Sequence, residues 1–146
     1  MSGASDHQAP PGWIRTDLGE VVEIIMGQAP AGTDCNKSGT GDVFVKAGEF
    51  GLTHPTVREW TTKPLKFART TDVLLCVVGA TSGKLNYGID CAIGRSVAAL
   101  RPTSGVAQRY LYNFLLTRVL SLRTASNGSA QGMISRPDIH AIRLVS

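Results

Sequence analysis

The sequence predicts an α+β domain: a twisted mixed or antiparallel β-sheet, one main amphipathic helix and long loops. Strand-like segments crowd the first hundred residues, and a helical period appears once, after them. Within Asp72 to Gly79 (DVLLCVVG), residues 73–78 are apolar at successive positions, as in a central strand covered on both faces. Alternating βαβ units are absent, which argues against a doubly wound nucleotide fold.

Residues 1–12 are polar, end in Pro10-Pro11 and read as a flexible lead; 13–146 read as one domain, with Trp13 as an anchor at its entry. Val21 to Met26 is β-branched and apolar, the first strand. Gly27 to Gly41 collects Gly, Pro, Ala, Ser, Thr and Asn, a long loop, and Val43 to Lys46 (VFVK) is a short strand. Ala47 to Lys66 carries scattered Thr, Pro and charge and reads as irregular. After the central strand, Lys84 to Asp90 and Ala92 to Leu100 are further strands, with Gly94-Arg95 a turn or bulge. From Val106 to about Leu122, apolar Tyr110, Leu111, Phe114, Leu115, Val119 and Leu122 recur three and four apart, the period of an amphipathic helix. Ser126 to Ser129 stops it. A polar loop, AQGMISRP, follows, and IRLV closes the sequence as an edge strand.

A length of 146 residues with 42% hydrophobic and 18% charged side chains suits one domain with a core. No apolar run is long enough to span a bilayer, and MSGASDHQAPPGW lacks the basic-then-apolar order of a signal peptide, so no membrane partner and a cytoplasmic location are expected. Cys35, Cys76 and Cys91 form no C-x-x-C pair, and His7, His54 and His140 are far apart; neither a metal nor a cofactor is expected. Cys76 reads as a small buried hydrophobe. Charge is asymmetric. Residues 1–100 hold nine Lys/Arg against ten Asp/Glu, whereas 101–146 hold six arginines against Asp138 alone. Such a basic half fits a polyanionic partner or a solvated face.

Val77 to Gly88, VVGATSGKLNYG, has the look of a phosphate-binding loop. The pattern G-x-x-x-x-G-K-[ST] requires four residues between its glycines and a helix after them. Gly79 and Gly83 enclose only three, Leu85 follows the lysine where a hydroxyl should be, and a strand-like run comes next. No nucleophile elbow occurs. Asp72 and Asp90 could pair as acid and base, but strand-end aspartates more commonly form turns. No catalytic constellation emerges.

The order of segments resembles a target recognition domain of the specificity subunit of type I restriction–modification enzymes. The resemblance is carried by Gly12-Trp13, LGEVVEIIMGQAP (18–30), VFVKAGEF (43–50), DVLLCVVGATSGK (72–84), AIGRSVAALRP (92–102), YLYNFLL and GSAQGMISRPDIHAIRL (128–144). It implies a non-catalytic module reading one half of a split double-stranded DNA target. In a full subunit, two such domains are separated by long helices that bind the methyltransferase (modification) subunits; methylation and cleavage belong to the modification and restriction partners. This sequence stops where the first spacer helix should begin, with RLVS in place of a proline-rich exit, as in an excised N-terminal domain or a short relative.

In that light the glycine turn is a strand-turn element, with Lys84 suited to a phosphate and Asn86 and Tyr87 to polar DNA contacts; a structural hairpin with a solvated lysine is the alternative. Lys37 lies in the first long loop. Lys46, Phe50, Thr53 and Arg58 lie in or after the second strand. Gln131 can pair with adenine N6 and N7, and Arg136 with guanine O6 and N7. Arg109, Arg118 and Arg123 fit either phosphate contacts or a solvated helix face. Two other functions stay open: a protein-interaction module of a DNA-modification complex, and a small phosphate-handling enzyme built on Gly79 to Lys84.

Overall fold

The computed structural model describes residues 15–103, 105–129 and 132–145. The polar lead, Gly12-Trp13 and Gln131 lie outside the described residues. The fold is α+β, in three layers: helices, a four-stranded sheet and a five-stranded sheet.

The middle layer is antiparallel. Its strands are β2 (Val22–Met26), β10 (Val97–Pro102), β7 (Val73–Cys76) and β8 (Leu85–Tyr87), in that spatial order. β7 is internal and entirely buried, as its two apolar faces require. One face sends Val73, Leu75 and Val77, with Ala98 and Leu100 of β10, against the helices. The other sends Leu74 and Cys76, with Val97 and Ala99, against Val45, Phe50, Cys91 and Ile93 of the next layer. Alternate residues thus enter two cores, the period-two rule applied to a sheet covered on both sides.

The five-stranded sheet runs β3 (Cys35–Asn36), β5 (Trp60–Thr61), β4 (Asp42–Val45), β9 (Cys91–Ile93), β6 (Phe67–Ala68). It is mixed: β4 and β9 pair in parallel, the rest antiparallel. Three of these strands have two residues each; β3 and β5 fall in stretches read from sequence as loop or irregular chain, and β6 falls just after the second of them. So short a strand shows no alternation of its own.

Ala92 to Leu100 is not one strand. The turn at Arg95-Ser96 passes the chain from β9 in one sheet to β10 in the other. The helix is also two: α1 (Gln108–Leu116) and α2 (Val119–Asn127). At the break the Thr117 hydroxyl donates to the Phe114 carbonyl at 2.6 Å, a side-chain bond that competes with the helical ladder. Leu111, Tyr112, Leu115 and Leu122 are buried, whereas Tyr110 is 43% exposed and turned out of the stripe it was assigned to.

The segment after α2 is more than a polar loop. Ile134 is fully buried, and its N–H donates to Val77 O at 2.7 Å, extending the end of β7. Ser135 then caps α3 (Arg136–His140), accepting from Asp138 N while the Asp138 carboxylate accepts from Ser135 N, a capping box with Pro137 in the first turn. The terminal strand β11 (Arg143–Val145) pairs with β1 (Arg15–Asp17) in a separate two-stranded sheet.

Candidate nucleic-acid interface

β8 is an edge strand, and its open side organises the site. The chain reaches it through the glycine turn. Gly79 and Gly83 have φ of +78° and +95°, a region that side chains with Cβ resist. Ser82 N donates to Gly79 O, Gly83 N to Cys76 O and Lys84 N to Thr81 O, closing a compact turn. From α2, Arg123 Nε donates to Ser82 O at 3.2 Å and fixes the turn from behind. Lys84 then leads directly into β8. A phosphate-binding loop needs a helix at that point, so the geometry for nucleotide phosphates is absent here.

The segment after Phe50 lies along β8. Asn86 is fully buried; its Oδ1 accepts from Gly51 N at 2.9 Å and its Nδ2 donates to Gly51 O at 3.1 Å. Tyr87 N donates to Thr53 O at 2.7 Å. The exposed Lys84 donates through Nζ to Phe50 O at 3.4 Å. The loop therefore covers the backbone edge that β8 would otherwise leave open. Tyr87 stacks on Tyr112 with centroids 4.1 Å apart and on His54 at 5.6 Å. Beside this stack is a cleft of about 270 Å³ lined by His54, Thr70, Tyr87, Gln108 and Arg109. Gln108 holds its floor, donating to the carbonyls of Thr70 and Asp72 at 2.8 and 2.7 Å.

Five residues singled out from sequence thus meet at one edge: Phe50, Thr53, Lys84, Asn86 and Tyr87. Their parts differ from the expectation of surface contacts. Phe50 is only 7% exposed and packs in the core between the sheets; Asn86 is spent on Gly51. Both are buried because each holds the loop, Phe50 by packing and Asn86 by its amide. Thr53 and Lys84 are exposed, and Tyr87 is half-buried.

The remaining candidates lie elsewhere. Lys46 Nζ is 2.7 Å from Glu59 and 5.7 Å from the centre of the Phe44 ring. The hydrogen bond to Glu59, against some desolvation, raises its pKa. Its charge is already answered within the protein. Arg58 is exposed on the irregular segment before β5. Lys37 is exposed in a turn where Asn36 Oδ1 accepts from Ser38 N and Thr40 N at 3.1 and 3.0 Å. Arg136 opens α3 and donates through Nη1 to Ile24 O at 2.6 Å, on β2, the opposite edge of the four-stranded sheet from β8. Three strand spacings, roughly 14 Å, separate those edges. There Arg136 lines a 420 Å³ cleft with Lys66, His140 and Glu23.

Sequence reasoning did not single out Leu52 or His54 as contacts, and it left Arg109 between a phosphate contact and a solvated helix face. An isolated leucine in an otherwise polar stretch was the available signal for the first; only the fold brings His54 and Arg109 to Tyr87. Asp72 and Asp90, weighed as an acid–base pair, are turn residues: Asp72 takes Arg69 N and Asp90 takes Thr70 N.

No family model matches the chain. It is 28% identical over 142 residues to a protein of Methanocaldococcus jannaschii named as a type I restriction enzyme MjaX specificity subunit; the match takes in 94% of this chain and 33% of that one. The HsdS subunit from Thermoanaerobacter tengcongensis superposes with a TM-score of 0.81 at 37% identity, over 93% of this chain and 33% of that chain. By sequence and by fold, the chain is similar to part of type I specificity subunits. A second structure, from work on complex assembly and conformational transition of the type I R-M system, superposes at 0.83 with 36% identity, over 93% of this chain and 34% of that one. The type I S subunit from M. genitalium shares the fold, at 0.68 with 12% identity. The chain spans about a third of the length of each of these specificity subunits.

Proposed function

We propose that the chain is a non-catalytic module that reads one half of a bipartite double-stranded DNA target for a type I restriction–modification enzyme, with methylation and cleavage carried out by partner subunits. The observation that carries this reading is the match to specificity subunits across 93% of the chain at 37% identity. The β8 edge supports it: Thr53, Lys84 and Tyr87 stand on a braced edge with Arg109 nearby, offering a cation for the DNA backbone and polar groups for base edges.

The test is selection of duplexes from a random pool, followed by titration of the winner against a scrambled duplex over a range of salt. With three to five phosphate contacts, the log–log salt slope should be about −3 to −5. A slope near zero with no enriched sequence would sink this reading. A second reading, docking to a protein, has its own support in the outer face of the helices, where Leu116 is 48% and Leu120 79% exposed. That reading would gain from the same null titration.

A further inference from the structure

The tip of the loop on β8 carries Leu52, which is 96% exposed, the most exposed large apolar side chain among the described residues. Exposed leucines are common on surfaces and by themselves mean little. This one differs in how it is held. On one side Gly51 is gripped at both its N–H and its carbonyl by the buried Asn86. On the other, Thr53 O accepts from Tyr87 N, and the Thr53 hydroxyl lies 3.1 Å from His54 Nδ1. Gly51 N also donates to His54 O at 3.2 Å, closing the tip on itself, and the His54 ring rests on Tyr87. Loop tips are ordinarily polar and loosely held. Here a buried amide and an aromatic stack fix a leucine outward.

The surroundings say what it faces. Lys84 bonds to the backbone two residues before Leu52, and Arg109 lines the cleft beside His54 two residues after it. An apolar tip on a loop that Lys84 bonds to and that borders the cleft of Arg109 is complementary to a DNA major groove, where the thymine 5-methyl group is the apolar feature on a floor walled by phosphates. Resting on the reading of the chain as a duplex-DNA module, we infer that Leu52 is a specificity-determining residue that reads a thymine methyl group, with Asn86 as the residue that positions it.

The methyl group can be removed from the DNA without touching the protein. The selected duplex is resynthesised with uracil replacing each thymine in turn, and bound to the wild-type chain and to Leu52→Ala. For wild type, uracil at one or two positions weakens binding about fourfold, the worth of one buried methyl. Leu52→Ala binds the all-thymine duplex about tenfold more weakly and no longer distinguishes thymine from uracil at those positions. Thermal melts of both proteins should coincide, since the leucine side chain is in solvent. If uracil weakens both proteins equally, or neither, the assignment of Leu52 is overturned while sequence-specific binding stands. If Leu52→Ala loses affinity but no uracil position matters, Leu52 touches DNA without reading a methyl, and the inference is again overturned. If no duplex is enriched at all, the DNA reading itself falls, and the inference with it.

Discussion

The carboxylate of Asp72, fully buried at the start of β7, receives Nε and Nη2 of Arg101 from β10 at 2.8 and 2.9 Å. It also accepts from Arg69 N, while Arg101 reaches Glu23 at 3.6 Å. Two neighbouring strands and the turn entering one of them are thus joined at a single fork of parallel hydrogen bonds.

Removing Asp72 should leave the half-buried Arg101 with only Glu23 at 3.6 Å and the Phe67 carbonyl at 3.5 Å. Asp72→Ala is expected to cost about 3–5 kcal/mol of stability, the usual penalty for breaking a buried pair. Urea unfolding at neutral pH measures it. A midpoint equal to wild type would show that Arg101 finds water or another acceptor without loss.

The glycine turn gives a graded pair of variants. At Gly79 an added Cβ meets nothing within 4 Å, so Gly79→Ala should cost only the positive-φ penalty, about 1 kcal/mol. At Gly83 the added atom lies 3.3 Å from Val119 and from the Arg123 side chain, so Gly83→Val strains both the backbone and the seat of the turn on α2. Its melting temperature should fall well below that of Gly79→Ala; equal melts would mean that α2 yields to the new side chain.

Alkaline pH should destabilise the domain through two thiols. Burial pushes both Cys76 and Cys91 up to about 12 from an ordinary 9.0. Their native forms hold protons that the unfolded forms release. The stability they contribute is therefore complete below about pH 9 and is lost as pH rises toward 12, at up to about 1.4 kcal/mol per pH unit for each thiol. Denaturant midpoints from pH 8 to 11 should fall, and fall less steeply in the Cys76→Ala/Cys91→Ala protein. An unchanged slope in that variant would assign the alkaline limb to other groups.

Lys84 and Arg136 should separate in a binding matrix of variants against the selected and the scrambled duplex. Lys84→Ala should weaken both alike and flatten the salt slope by about one unit. Arg136→Ala should cost roughly 1–3 kcal/mol on the selected duplex and much less on the other, provided its guanidinium reaches a base while one nitrogen stays on Ile24 O. Equal losses on both would move Arg136 to the phosphate contacts. No loss on either would make it a strut between α3 and β2.

What could be read from sequence depended on how far each signal reached. β7 was legible because burial on both faces leaves an unbroken apolar run, and the turn after it because Gly79 and Gly83 sit where positive φ is needed. β3, β5 and β6 were not, since two residues carry no period. The break at Thr117 escaped notice because the apolar spacing runs on through it. The resemblance to specificity subunits was carried by segment order, which survives such errors. The site was half legible. Its residues on β8 were adjacent in sequence, but the partner loop comes from more than thirty positions earlier. Chemistry alone gave no means to tell that Asn86 would hold a backbone and that Phe50 would fill a core.

The pairing of β1 with β11 sets Arg15 opposite Val145, Thr16 opposite Leu144 and Asp17 opposite Arg143. The strands are antiparallel, so residues 15 and 145 lie side by side. Tension applied across these two points would load the pairs one after another, as in a zipper, and would not shear them together. Behind the third pair, Leu18 N donates to Ile142 O at 2.7 Å, and Leu18 itself is fully buried. The domain would therefore hang from a joint that peels open at low force, while both cores stay unloaded until Leu18 is drawn out.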